Sequence, residues 1–247
     1  MKKILIIGYG RFGELLCELL KKDFKISVYE ENRERSNRAK LKDLNILNDL
    51  EDLNKFSYIF ICVPISTFKD IILRIKDKTN KEQIVLDVCS VKSYPSEIMT
   101  KYLKNAQTVA THPLFGPDSF SKKLELKIVV CRLNINDKDY SRLIKYFEKI
   151  KLQIIETTPN KHDHDIIYSQ AFTYIILNLI QNMNFPKIDI STPSYLKLKE
   201  ITEISENDTK QLFIDMIKFN PYFNNFYKRL KKGYKSSLDN LKMIYKK

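Results

Sequence analysis

Lys3-Ile4-Leu5-Ile6-Ile7-Gly8-Tyr9-Gly10-Arg11-Phe12-Gly13 stands near the start of the chain, and a helical run from Glu14 puts Leu15, Leu16, Leu19 and Leu20 on one face. The apolar run predicts a buried strand, and the Gly-x-Gly-x-x-Gly loop that follows opens a helix. That is the phosphate-cradling turn of a dinucleotide-binding unit. The first glycine permits the tight turn, the second lets backbone approach a pyrophosphate, and the third lets helix pack on strand. The anion then rests on the unpaired N–H groups of the helix start. Gly8, Gly10, Arg11, Phe12 and Gly13 are the expected cofactor contacts.

A lone motif of this kind is weak, but two facts strengthen it. The chain owns only 5 glycines, and three of them are spent here. A second strand, Lys25-Ile26-Ser27-Val28-Tyr29, ends in Glu30, 22 positions after Gly8, where a carboxylate meets the adenosine ribose. Glu30 would pair with a ribose 2′-hydroxyl and repel a 2′-phosphate, which favours NAD; Arg11, Arg33 and Arg35 nearby leave room for NADP.

Up to about residue 158, β-rich runs alternate with helical patterns, which predicts parallel strands joined by crossover helices. Ser57-Tyr58-Ile59-Phe60-Ile61-Cys62-Val63-Pro64 reads as a central strand stopped by proline. Its end, Val63 and Pro64, should lie beside the cofactor, because ligands collect at the carboxyl ends of parallel strands. Further strands are expected over residues 83–90, 107–111, 127–131 and 152–156. After residue 158 the strand pattern ceases. One long helix is expected over residues 163–183, too apolar for a surface helix and so destined for a core or for a second copy of the chain. More helices follow over residues 194–204, 209–219 and from 221 onward. The expected domains are therefore 1–158 and 159–247.

With 247 residues the chain can bury a real core, and its 43% hydrophobic and 30% charged residues are those of an ordinary globular protein. No apolar run approaches the ~20 residues that span a bilayer, and Met1-Lys2-Lys3 runs straight into a strand, leaving no room for a signal peptide. Cys17, Cys62, Cys89 and Cys131 lack metal-ligand spacing and read as reduced core residues of a cytoplasmic protein. The net charge of +13 is mostly lysine mixed with acids, densest over residues 228–247. Without a nucleic-acid-binding motif it reads as a solvated surface whose field draws in an anionic small molecule. Neither a membrane, a nucleic acid nor a metal is expected as a partner.

Two further strand ends carry chemical groups. His112 ends a strand and precedes a proline; a neutral imidazole there can take the proton of a substrate hydroxyl as hydride leaves the adjoining carbon, a reading favoured over that of a capping or packing histidine. Ser90-Val91-Lys92 adds a hydroxyl and a cation. Together these segments resemble the prephenate/arogenate dehydrogenases. Asp87-Val88-Cys89-Ser90-Val91-Lys92 is similar to that family's Asp-Val-x-Ser-Val-Lys, and Thr111-His112-Pro113-Leu114-Phe115-Gly116-Pro117 to its His-Pro-Met-Phe-Gly-Pro signature. His162-Asp163 with Ser169-Gln170-Ala171-Phe172-Thr173 resembles the His-Asp…Ser-Gln-Phe-x-Thr-His helix of the arogenate-type branch.

The resemblance implies a Rossmann-type doubly wound parallel sheet followed by an all-helical domain that binds substrate and forms a homodimer. It also implies an NAD(P)-dependent oxidative decarboxylation of a cyclohexadienyl acid. By the same carry-over His112 and Ser90 are catalytic, while Ser90, Lys92, Gly116, Gln170 and Tyr174 face the substrate. Tyr174 stands where the family has histidine, and no arginine occurs around Lys210-Gln211-Leu212-Phe213-Ile214-Asp215, where the bacterial prephenate enzymes use one; Lys210 or Lys218 are the candidate substitutes. Two other readings compete. A β-hydroxyacid dehydrogenase would place a lysine on the long helix, which has none over residues 163–183, and a non-catalytic dinucleotide sensor would not need His112 and Ser90.

Overall fold

Strand β1 (Lys3–Ile7) sits at the centre of the sheet because four consecutive apolar side chains, Ile4 to Ile7, are each 1% exposed or less. Burying each contributes about 1.5–3 kcal/mol, and only a strand covered on both faces can bury all four. The computed structural model describes residues 1–121, 125–186 and 188–245, with the backbone alone for 121 and 204–206. Of the expected terminal helix, Lys246 and Lys247 lie outside the described residues.

Helix α1 (Arg11–Leu20) and strand β2 (Lys25–Tyr29) follow, with β2 parallel to β1 in the register Lys3↔Lys25 to Ile7↔Tyr29. Next come α2 (Arg33–Lys40), the two-residue β3 (Asn45–Ile46), β4 (Tyr58–Ile61) and α3 (Ile65–Ile75). Strand β5 (Ile84–Asp87), α4 (Ser93–Tyr102), β6 (Gln107–Pro113) and the short α5 (Pro117–Ser121) lead to β7 (Lys127–Arg132), α6 (Asp137–Lys149) and β8 (Gln153–Glu156). The sheet order is β3-β2-β1-β4-β5-β6-β7-β8. Chain order reverses between β1 and β4, which makes the carboxyl ends of those strands the topological switch point where such sheets bind ligands.

The sheet is not wholly parallel. Strand β7 runs antiparallel to β6, pairing Val109↔Arg132 through Pro113↔Ile128. Among the described residues, the segment between them holds the five-residue α5, short of the helix that usually carries a parallel crossover. Strand β3, with no apolar run to announce it, is held by Asn45 Nδ2 donating to Ser27 Oγ at 2.8 Å.

The chain divides into two compact units, Met1–His162 and Asp163–Lys247. Helix α7 (Pro159–Ile166) crosses that division. The long helix expected over residues 163–183 is interrupted: α7 gives way to a π-helical turn, Ile167–Ala171, before α8 (Phe172–Asn182). Ser169 Oγ lies 3.4 Å from the carbonyl oxygens of Asp165 and Ile166, a side-chain claim on the backbone acceptors where the helix widens. Helices α9 (Pro193–Glu206), α10 (Lys210–Phe219) and α11 (Phe223–Tyr245) complete the second unit. Its buried cluster is small, with Ile167, Ala171 and Phe226 at the centre and Ile175, Phe223 and Leu230 packed around them. The expectation that α8 is covered on most sides fails within the single chain: Phe172 is 39% exposed, Leu179 44% and Met183 56%.

Candidate active site

The loop after β1 shows why glycine stands at two of its three fingerprint positions. Gly8 adopts φ +101, and a Cβ there would lie 2.3 Å from the Cys62 carbonyl oxygen at the end of β4. A Cβ on Gly13 would lie 2.2 Å from the Gly8 carbonyl oxygen, so the helix approaches the strand too closely for any side chain. Gly10, the N-cap of α1, is different: the nearest atom to a Cβ there is Arg35 Nη1 at 3.7 Å. Its open face leaves room for a ligand to approach the backbone and the N–H groups of the first turn.

Glu30 is held against this loop. Its Oε2 accepts from Tyr9 N at 2.7 Å and its Oε1 from Asn32 N at 2.8 Å, while Arg35 Nε stands 3.7 Å away. Each carboxylate oxygen retains a lone pair, so the group can still accept from ribose hydroxyls. Val63 is half-buried, with Cγ1 3.2 Å from the Gly8 Cβ position, and the exposed Pro64 is the N-cap of α3. Val63 therefore borders the loop, and Pro64 follows it in sequence. Arg11 and Phe12 turn towards the segment after β6: Arg11 Nη2 pairs with Asp118 Oδ2 at 2.6 Å, and the Phe12 and Phe115 rings lie 6.0 Å apart. Asp118 and Phe115 carried no sequence signal of this role beyond their place in the His112 segment.

The ends of β5 and β6 are tied by a buried ion pair. Asp87 and Lys92 side chains are both 0% exposed. Lys92 Nζ contacts Asp87 Oδ2 and the Thr111 carbonyl oxygen, Asp87 Oδ1 accepts from Thr111 N at 3.1 Å, and Asp87 Oδ2 accepts from Cys89 N at 3.0 Å. The expectation of Lys92 as a substrate contact is thus corrected. Its ammonium is committed inward, where it neutralises Asp87 and clamps the two strand ends that carry Ser90 and His112.

His112 is 4% exposed, and its Nδ1 lies 2.9 Å from Nε2 of His162, itself 4% exposed. Burial first, then the neighbouring His162 and Lys92, push the His112 imidazole well below the ordinary histidine value, so it is neutral at physiological pH. Ser90 is 6% exposed, and its hydroxyl has no hydrogen-bond partner among the described residues. A buried hydroxyl without a partner costs about 1–3 kcal/mol, which a bound ligand would relieve. The open face at Gly10, the Glu30 carboxylate and the orphan Ser90 hydroxyl fit a dinucleotide whose reactive end lies near β5 and β6.

Gly116 caps α5: its N–H donates to Ser119 Oγ at 2.8 Å, and its carbonyl accepts from Phe120 N at 2.9 Å. A Cβ there would meet nothing within 4 Å, so no steric demand explains that glycine. In the second unit the Gln170 Oε1 is buried without a partner among the described residues, and the Tyr174 hydroxyl donates to Asp208 Oδ2 while its ring stacks on Phe213. Its proton is therefore already engaged by a carboxylate. Lys210 and Lys218, the candidate replacements for the arginine, are both exposed. Among the described residues no group of three or more His, Cys, Asp and Glu could hold a metal ion.

Comparison with known proteins bears on the family and the fold. Residues 17–156 match the family model described as prephenate dehydrogenase, nucleotide-binding domain, a segment that begins just after the glycine fingerprint. The chain is 23% identical over 244 residues to the chloroplastic arogenate dehydrogenase 2 of Arabidopsis thaliana, covering 95% of this chain and 68% of that protein. It is 24% identical over 230 residues to arogenate dehydrogenase 1 of the same plant, covering 89% of this chain but only 36% of that protein. Among solved structures, a prephenate dehydrogenase from A. aeolicus in complex with hydroxyphenyl propionate and NAD+ superposes with a TM-score of 0.75 at 20% identity, over 98% of this chain and 90% of that one. The arogenate dehydrogenase of Synechocystis gives 0.68 at 18% identity, over 97% and 93%. At such identities the structures speak for the fold, and the family is carried by the match over residues 17–156. The chain belongs to the prephenate dehydrogenase family.

Proposed function

We propose that the protein catalyses the NAD-dependent oxidative decarboxylation of a cyclohexadienyl acid, arogenate to tyrosine in preference to prephenate to 4-hydroxyphenylpyruvate. The observation that carries this reading is the neutral, buried His112 at the end of β6, three strands from β1 and its glycine loop, with the Ser90 hydroxyl, unpartnered among the described residues, between them in chain order. Gly8, Gly10 and Gly13 shape the pyrophosphate cradle, Arg11, Phe12, Val63 and Pro64 border it, and Glu30 holds the adenosine ribose.

When bound, the nicotinamide accepts a hydride. The residues then have one proton to manage. A neutral His112 accepts the proton of the ring hydroxyl as hydride leaves the same carbon, and Ser90 hydrogen-bonds that oxygen to orient it. The carboxylate departs as carbon dioxide, its bonding pair closing the aromatic ring, and His112 returns the proton to the phenolic oxygen. No net proton is released or consumed, so a base that is restored within the turnover suffices. Holding the reacting groups together supplies much of the rate.

The preference for arogenate rests on Tyr174, which matches the family histidine in sequence. With its proton given to Asp208, Tyr174 is not a donor for a substrate carboxylate, and its oxygen is suited to accept from an ammonium group. Arogenate carries an ammonium where prephenate carries a keto group. Both Arabidopsis relatives bear the arogenate name. We assign the nucleotide to residues 1–158 and substrate binding and dimerisation to 159–247. Four cysteines kept as thiols support a reducing, cytoplasmic setting.

The test is to mix the protein with L-arogenate or prephenate, each with NAD or NADP, and follow the reduced nicotinamide. Turnover is expected with arogenate and NAD, abolished by His112→Ala with cofactor affinity retained. Cofactor binding without turnover in any of the four mixtures would overturn the reading.

A further inference from the structure

The reaction requires a lone pair on one particular nitrogen of His112, and sequence alone does not decide which nitrogen carries the proton. A neutral imidazole has one N–H and one acceptor nitrogen. The 2.9 Å contact between His112 Nδ1 and His162 Nε2 joins two nitrogens, so one hydrogen occupies it and the two rings share one of two arrangements. If His162 donates, His112 must carry its own proton on Nε2 and has no acceptor left for a substrate. If His112 donates from Nδ1, its Nε2 is an acceptor. Only the second arrangement makes a base.

We propose that His162 is the positioning residue of this site: its Nε2 accepts the Nδ1–H of His112, fixing the ring orientation and the tautomer in which His112 Nε2 takes the substrate proton. The inference rests on the dehydrogenase reading above for its catalytic meaning, but the tautomer is a property of the resting protein.

Three observations carry it. The rings meet at 73° with centroids 5.1 Å apart, so the contact is edge-on, with N–H directed at a ring-plane lone pair rather than stacked. Both rings are buried, so water does not compete for the contact. His162 is also held firmly by its own helix start. Thr158 precedes Pro159, the first residue of α7, and its hydroxyl accepts from Lys161 N at 3.3 Å while its carbonyl accepts from His162 N at 3.0 Å. Ser93 Oγ, at the start of α4, lies 3.3 Å from Asn160 Oδ1 and braces the same turn. The His112 Nδ1–H stays on the His162 acceptor while Nε2 takes the substrate proton, so the ring does not turn as the proton moves.

The chain has 3 histidines, so histidine-selective 15N labelling gives spectra assignable by single substitutions at His162 and His164. Long-range proton–nitrogen correlation at neutral pH should show His112 protonated on Nδ1; protonation on Nε2 in the unsubstituted protein overturns the proposal outright. His162→Leu removes the acceptor and should move His112 to the Nε2–H tautomer and lower kcat about 10- to 100-fold, as loss of an orienting partner does elsewhere. KM and cofactor Kd should stay within about twofold, the pattern of a group that acts only in the transition state. His162→Gln offers an amide oxygen near the same place and should restore part of kcat. A leucine variant with full kcat, or a glutamine variant no better than leucine, counts against His162. An Nδ1–H tautomer in a protein that turns over no cyclohexadienyl acid would uphold the positioning role and sink the dehydrogenase reading instead.

Discussion

Glu30 carries both its own fixation and the expected cofactor choice. Because Tyr9 and Asn32 amides already orient the carboxylate, little ordering remains when a ribose binds, and the group is preorganised. Glu30→Ala should weaken NAD about tenfold, the loss of roughly 1.4 kcal/mol, while NADP weakens less because the repulsion of a 2′-phosphate goes with the carboxylate and Arg35 is released from its ion pair. Calorimetric titration with both cofactors reads this directly; an unchanged NAD Kd would remove Glu30 from the site. His112 sets the pH dependence. Its imidazole lies well below the ordinary value, so the native state binds that proton less readily than the unfolded chain. Native stability should therefore hold above about pH 6.5 and fall below it as acid drives protons onto the unfolded chain first, while activity, which follows the lowered native value, should persist below pH 6.5. A kcat/KM profile that falls instead with rising pH through neutrality would contradict a neutral His112 base. These residues were unequally legible. The fingerprint, Glu30, Ser90 and His112 stand at strand ends, where pattern and motif coincide. Lys92 was misplaced because a cation in a motif says nothing of which way it points, and the buried partner Asp87 lies five residues back in the same motif.

At the scale of elements, what the sequence showed is what local periodicity encodes. Strands β1, β2, β4, β5 and β6 appear as apolar runs, and the turns after them as glycine, proline or acid. The antiparallel β7 was not legible, since its Lys-Ile-Val-Val-Cys pattern suits either direction. The π-turn was invisible for a similar reason: Ile167, Ala171 and Phe172 keep apolar spacing whether the helix is wound by 3.6 residues or loosened for one turn. The clamp between β5 and β6 yields a test at this scale. Lys92→Met leaves Asp87 buried without its counter-charge, and loss of one partner of a buried pair costs about 3–5 kcal/mol. The double variant Asp87→Asn with Lys92→Met should recover much of that, since no uncompensated charge remains. Urea unfolding checks both, and a single variant as stable as the parent would show that the clamp does not hold the strands. Gly8→Ala should be at least as damaging to the loop, because a Cβ at 2.3 Å from the Cys62 carbonyl oxygen meets backbone that cannot move aside.

For the whole molecule the decisive feature is how little apolar surface the helical unit buries within one chain. On α8 and its C-cap, Phe172, Ile176, Leu179 and Met183 share one face, and Phe172, Leu179 and Met183 are 39%, 44% and 56% exposed. On α11, Tyr227, Tyr234, Leu238, Leu241 and Tyr245 share another, with Leu241 61% and Tyr245 93% exposed. Single exposed leucines are ordinary, but two helical stripes of them are not, and contiguous apolar surface of this kind marks an interaction site. A second copy of the chain is the occupant that we propose, and a twofold interface would match each stripe with its own counterpart. Sedimentation at micromolar concentration should give a particle of twice the 29.3 kDa chain mass. Leu179→Asp with Leu241→Asp should return it to the mass of a single chain. In a monomer those substitutions would fall on solvent-exposed positions and change stability by less than about 0.5 kcal/mol; in a dimer they should also lower the thermal midpoint and make it depend on protein concentration, because association and folding are then linked. A particle of single-chain mass in the unsubstituted protein, with a midpoint independent of concentration, would leave both stripes without a self-partner and reassign the helical unit to another role.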